Sequence, residues 1–170
     1  MENEADNKET ARPDIDGNDI ITDALMEILN SYPGLDEGEE IAFATLPEDT
    51  GIAMFPVSGA VIKSEKRSVT GDVHQECLYP MYIFYRACAP SQKERARIKE
   101  WLDTLGKWLE RQPVAIDGTI YRLEGYPELA GDNRYFENIY RTGPGHLQTV
   151  TADRTEDWAI AVTAQYNNEF

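Results

Sequence analysis

Hydrophobic positions change period several times along the chain, and each change predicts an element. From Asp19 onward Ile20, Ile21, Ala24, Leu25, Ile28 and Leu29 recur at helical spacing, with Asn18 or Asp19 available as a cap and Asp23 in the first turn, where the helix dipole favours an acid. Tyr32, Pro33 and Gly34 end this helix. Residues 41–44 alternate over a length that suits a short strand. Residues 51–64 and 73–89 read as two longer strands, and the polar segment 65–72 between them has the charge and Gly-Asp content of a hairpin loop, so the pair is expected to be antiparallel. The second of these strands is apolar or aromatic at nearly every position from Cys77 to Tyr85, which implies that something covers each of its faces.

The clearest pattern lies between Ser91 and Gln112. Ser91 and Glu94 form a capping box after Pro90, and Ile98, Trp101, Leu102, Leu105, Trp108 and Leu109 make one apolar stripe that Pro113 terminates. Residues 114–123 form an extended segment interrupted by Asp117 and Gly118, and residues 125–133 read as loop. Residues 135–142 predict a strand. In the final strand Trp158, Ile160, Val162, Ala164 and Tyr166 alternate with the small or polar Ala159, Ala161, Thr163 and Gln165. Gly143, Pro144 and Gly145, and then residues 152–156, supply turns between these last two strands. Strands and helices do not alternate as a parallel sheet requires. The expected fold is therefore α+β: an antiparallel sheet of four to five strands with two helices packed on one face.

Charge refines this organisation. The chain of 170 residues carries 31 acids against 16 bases, a formal charge of -15, which argues against a protein that binds nucleic acid by neutralising phosphates. The acid is not evenly spread, because residues 1–49 hold 15 Asp/Glu and only Lys8 and Arg12 as bases, while the remainder is nearly neutral. Residues 1–18 have few large apolar side chains to offset the entropy of ordering, and are expected to form a disordered acidic tail. Residues 19–170 are then one domain. The N-terminus has neither the basic nor the apolar region of a signal peptide, and no run approaches the roughly 18 apolar residues of a membrane helix, so a cytoplasmic site of synthesis and no membrane partner are expected.

Candidate chemistry is sparse. His74, Cys77 and Cys88 offer three nominal metal ligands, whereas a structural zinc site needs four at closed spacing. Both cysteines lie in the most apolar strand, 11 residues apart and so on opposite faces, which argues for two buried thiols and against a disulfide or a Cys-His nucleophile pair. Gly143-Pro-Gly145 lacks the Lys-Ser/Thr of a phosphate loop, and adjacent acids such as Glu156 and Asp157 point apart on a strand. No catalytic residue, metal or cofactor is expected, and the chain does not read as an enzyme. Aromatic side chains are more informative: Tyr79, Tyr82, Phe84, Tyr85, Tyr140, Trp158 and Tyr166 fall on predicted strands, and part of that surface suits burial against another subunit. The alternative, burial under the first helix and the 125–133 loop, remains open at this level. The second helix also carries Lys93, Arg95, Arg97, Lys99, Lys107 and Arg111 opposite its apolar stripe.

The segment YIFYRACAPSQKERARIKEWLDTLGKWLE (residues 82–110), a strand running into a capped helix with the pattern W-L-x-x-L-G-x-W-L-E, resembles the minor capsid or tail terminator proteins of tailed phages and prophages of Gram-positive bacteria. The closing segment TADRTEDWAIAVTAQY (residues 151–166) is similar to theirs as well. This resemblance implies a tail-terminator-like fold and a structural role. It implies a homo-oligomeric ring, typically a hexamer, at the head-proximal end of the tail tube, where it ends tube polymerisation and joins the tail to head-completion or connector proteins. DNA would pass through without specific binding, and the protein would reside in the virion at the head–tail junction after assembly in the host cytoplasm. Interface residues are then expected at Tyr82 and Phe84, on the helix at Arg95, Lys99 and Lys107, and on the last strand at Trp158 and Tyr166. A rival reading is an acidic DNA mimic or inhibitor that binds a basic cytoplasmic partner.

Overall fold

The computed structural model describes residues 11–131 and 133–170. In chain order the elements are β1 (Arg12–Pro13), α1 (Ile15–Asn30), β2 (Ile41–Phe43), β3 (Gly51–Pro56), β4 (Val61–Arg67), β5 (Val73–Cys88), α2 (Gln92–Leu109), β6 (Val114–Ile116), β7 (Thr119–Tyr121), β8 (Arg134–Arg141), β9 (His146–Val150) and β10 (Thr155–Glu169). The architecture is mixed α and β, with two helices and a mostly antiparallel sheet. That sheet has eight strands, not the four to five expected. The excess has a geometric cause: β5 and β10 are so long that each is edged by two short strands placed end to end. β3 and β4 divide the free side of β5, and β8 and β9 divide that of β10. The expected continuous strand over residues 51–64 is broken between β3 and β4, and β9 lies between the two expected turns, where no strand was expected. β2 joins β3 in parallel, and β6 and β7 form a separate two-stranded hairpin turned by Asp117 and Gly118.

Strand alternation gives the long pair two unlike faces. Cys77, Tyr79, Met81 and Ile83 of β5 lie beside Tyr166, Ala164, Val162 and Ile160 of β10, and all are buried. Ile21, Leu25, Ile28 and Leu29 of α1 and Ile98, Leu102, Leu105 and Leu109 of α2 close over this face and complete the core. Both helices therefore sit on one side of the sheet, as expected. α1 covers the β5 and β2 side, where the Asn30 amide acts as a strand surrogate, accepting from the Ile41 N–H at 2.8 Å and donating to its carbonyl at 3.1 Å. α2 covers β10 and β8 so closely that a Cβ on Gly106 would meet Ile160 at 3.0 Å.

α1 begins at Ile15 and not near Asp19, so the N-terminal part of the expected tail needs division. Residues 1–10 lie outside the described residues, whereas Arg12 and Pro13 pair with Ile62 and Val61 and the Asp14 side chain caps α1 by accepting from the Gly17 N–H at 3.2 Å. The cap was not legible because its second anchor is remote: the other Asp14 oxygen accepts from the Tyr166 hydroxyl at 2.7 Å and from the Asn168 amide at 3.3 Å. Gly17 permits this approach, since a Cβ there would lie 2.0 Å from Asp14 Oδ2 and 2.6 Å from the Tyr166 hydroxyl. Tyr166 is thus a core residue with no exposed surface, a correction to its expected place at an interface.

The two cysteines also separate. Cys77 is buried, and Cys88, at the end of β5, is exposed, which corrects the expectation of two buried thiols. Burial and then the nearby Asp14 charge push the Cys77 thiol up to about 12, so it stays protonated and unreactive at neutral pH.

Candidate functional site

Opposite the helices, the sheet divides into an aromatic half and a polar half. Register places Phe84 between Ala53 and Ala159, and Tyr82 between Phe55 and Ala161. The small residues of β10 leave room for rings to lie across the sheet. Phe55 meets Phe84 edge to face at 5.4 Å between centroids, and Tyr82 lies 5.9 Å from Phe84. Neither helix reaches this side, and Tyr82 and Phe84 are half-buried by their neighbours alone. Toward the other end of the strands the same face becomes polar: Gln165 donates to Glu76 at 2.8 Å and to Glu137 at 3.1 Å, and Asn167 donates to Glu137 at 2.9 Å. The expectation that something covers each face of β5 is met by the helices on one side, and by no helix among the described residues on the other.

The remaining predicted residues scatter. Arg95 makes a two-pronged contact with Glu156, with nitrogen–oxygen distances of 2.8–3.1 Å, and the Glu156 side chain is only 3% exposed. Glu156 also accepts from the Trp158 indole N–H at 3.3 Å. Arg95 and Trp158 are therefore joined through one buried carboxylate, a link between the start of α2 and the start of β10 that no local pattern encodes. Lys99 is paired internally with Asp103 at 2.7 Å. Lys107 is exposed in the last turn of α2, where its charge complements the helix dipole. Tyr82 and Phe84 come together; Arg95 and Trp158 come together elsewhere; Lys99, Lys107 and Tyr166 join neither group.

Asp103 anchors a loop as well as a lysine, because its second oxygen accepts from the Gly145 N–H at 2.7 Å. Burial pushes its pKa up, but the Lys99 ammonium and the Gly145 N–H outweigh it and leave the carboxyl below its ordinary value. A carboxylate depressed in the folded state contributes stability that is complete above its unfolded pKa, about 3.9, and is lost as pH falls through the folded value. The Asp103 contribution should accordingly fade below about pH 4, and Asp103→Asn should cost about 1 kcal/mol at pH 7 while flattening the acid limb of a stability-versus-pH curve from urea melts.

Among the described residues no group of three His, Cys, Asp or Glu side chains could hold a metal ion, and no helix is long and apolar enough to cross a membrane. His74 faces Glu169 at 3.1 Å, away from Cys88. The chain matches no protein-family model and no curated protein at a meaningful level of similarity.

Proposed function

We propose that this chain is a non-enzymatic structural subunit of the phage tail terminator type, which assembles with its own copies into a ring at the head-proximal end of a tail tube. The observation that carries the reading is the aromatic half of the open sheet face: Phe55, Tyr82 and Phe84 form a ladder on a side to which neither helix contributes. Interface centres are rich in such rings, and identical subunits bury such a face most simply in a closed symmetric assembly. The resemblance of residues 82–110 and 151–166 to that family supplies the biological setting. In that setting the partners are the tail tube protein and a head-completion protein, the ring is a hexamer, and the mature location is the virion.

Light scattering coupled to size-exclusion chromatography, with and without purified tail tube protein, tests this reading. Wild-type protein should give a ring-sized species that caps tubes. Tyr82→Lys combined with Phe84→Lys should return it to the monomer with the thermal midpoint little changed, since both side chains are already half-exposed. A strict monomer that neither binds nor caps tubes would defeat the proposal.

One observation favours the rival reading of an acidic mimic. Asp16, Asp19, Asp23 and Glu27 are all exposed along α1, which has no base in its last turn. That reading requires a complex with a basic protein that duplex DNA displaces, and capping of tubes would not occur.

A further inference from the structure

Where the chain leaves α1, three aromatic rings from distant parts of the sequence meet around a cavity of about 280 Å³. Trp101 of α2 takes the Tyr32 ring edge to face at 5.4 Å and the Tyr85 ring at 5.2 Å. Its indole N–H is held by the Gly34 carbonyl at 3.0 Å, which fixes the wall. Gly34 is required for this arrangement, because a Cβ there would lie 2.7 Å from the Tyr32 hydroxyl. Tyr32 is 97% buried by its 3% exposure, and its hydroxyl, like that of Tyr85, makes no hydrogen bond to any described residue. Burial raises the pKa of both phenols, so both remain neutral, with oxygens able to accept.

The polar part of the lining is acidic. Asp36, Glu39, Glu100 and Asp117 border the cavity, with Arg97 as the base on its rim. Glu39 is half-buried, accepts only a weak bond from the Asp36 N–H at 3.3 Å, and has no Lys or Arg nitrogen within ion-pair distance among the described residues. Burial above all, with the Asp36 charge, pushes its carboxyl up, and the Asp36 N–H and then Arg97 only partly oppose this. An anion would be repelled here. The absence of a three-ligand metal cluster among the described residues disfavours a bare divalent ion. Aromatic faces, unpartnered phenol oxygens and an unpaired carboxylate together suit a cation that carries N–H donors on an apolar stem.

We propose that this cavity between Tyr32, Tyr85 and Trp101 binds an organic cation of arginine or lysine side-chain size, a guanidinium or primary ammonium group, with Glu39 as its counter-ion. The inference is independent of ring assembly. The group could be borne on a polypeptide or be a free small cation, and the same measurement separates these sources.

The full chain, labelled with nitrogen-15, is titrated with N-acetyl-arginine methylamide, N-acetyl-lysine methylamide, ethylguanidinium and butylammonium at constant ionic strength, following the Trp101 indole N–H and the Gly34 and Glu39 amides. Saturable shifts confined to these signals are expected. Tighter binding of the two amide-bearing probes would identify a chain-borne side chain as the ligand, and equal binding a free cation. Glu39→Gln should weaken binding about fivefold to tenfold, Tyr32→Phe, which keeps the ring, about threefold, and Lys66→Gln, on β4 opposite His74 at the other end of β5 from Tyr85, not at all. Amide dispersion verifies that each variant is folded. Linear shifts that sodium chloride reproduces, or saturable binding indifferent to both Glu39→Gln and Tyr32→Phe, would overturn the proposal.

Discussion

Asp14→Ala should lower the stability of the protein by about 3 kcal/mol in urea unfolding at pH 7. Loss of an N-cap costs about 1 kcal/mol, and leaving the buried Tyr166 hydroxyl without its acceptor costs roughly 1–3 kcal/mol more. The two contributions arise from different oxygens of one side chain, one turned to the Gly17 N–H and the other to Tyr166 and Asn168. Asp14→Asn retains a capping oxygen and should lose only about half as much. Tyr166→Phe should cost about 1 kcal/mol in the wild type and almost nothing in the Asp14→Ala background, because the hydroxyl it removes has already lost its partner. Additive losses would show that the Asp14–Tyr166 contact is not the source of the effect.

Arg95→Ala should cost about 2 kcal/mol, well above the usual worth of an ion pair in which one partner is half-exposed. The asymmetry comes from Glu156. Its carboxylate is almost fully enclosed, and without the guanidinium it keeps only the long bond from the Trp158 indole. Removing the charge along with its partner should therefore help: Arg95→Ala with Glu156→Gln is expected to recover more than half of the loss. Glu156→Gln alone should cost less than Arg95→Ala, since it leaves an exposed cation and not a buried anion. Equal losses in the two single variants would argue that the pair acts only through packing.

Much of the layout was legible because it rests on local rules. The stripe from Ile98 to Leu109 and the Ser91 cap place α2, whose start matches and whose end at Leu109 falls three residues before the expected Gln112, and the alternation in residues 158–166 gives both the strand and its two faces. The placement of both helices on one side follows from a chain with two amphipathic helices and one long antiparallel pair. What was hidden depends on partners far away in sequence. The early start of α1 is set by Asp14 reaching 152 residues to Tyr166. β9 has five exposed residues and no apolar period, so only its pairing with β10 makes it a strand. Tyr82 and Phe84 could be singled out as a neighbouring aromatic pair, but Phe55, the third rung, joins them only through the register between β3 and β5. The Tyr32, Tyr85 and Trp101 cavity gave no sequence signal, since each ring taken alone reads as ordinary core.

The central pairing of β5 with β10 also fixes an order of events during synthesis. Its register begins with Cys88 against Thr155 and ends with His74 against Glu169, partners 95 residues apart. Such closures are slow, because the loop entropy must be overcome before the contacts form. Until β10 has been made, β5 has β3 and β4 along one edge only, and α2 has its Trp101 contact with Tyr85 of β5 but lacks the β10 and β8 surface it covers. The nascent chain therefore presents the most apolar strand of the protein with a bare edge, a template for unwanted pairing. The acidic charge concentrated in residues 1–49 emerges from the ribosome before that strand does, so the bare edge is carried behind a segment of like charge, and like charges repel.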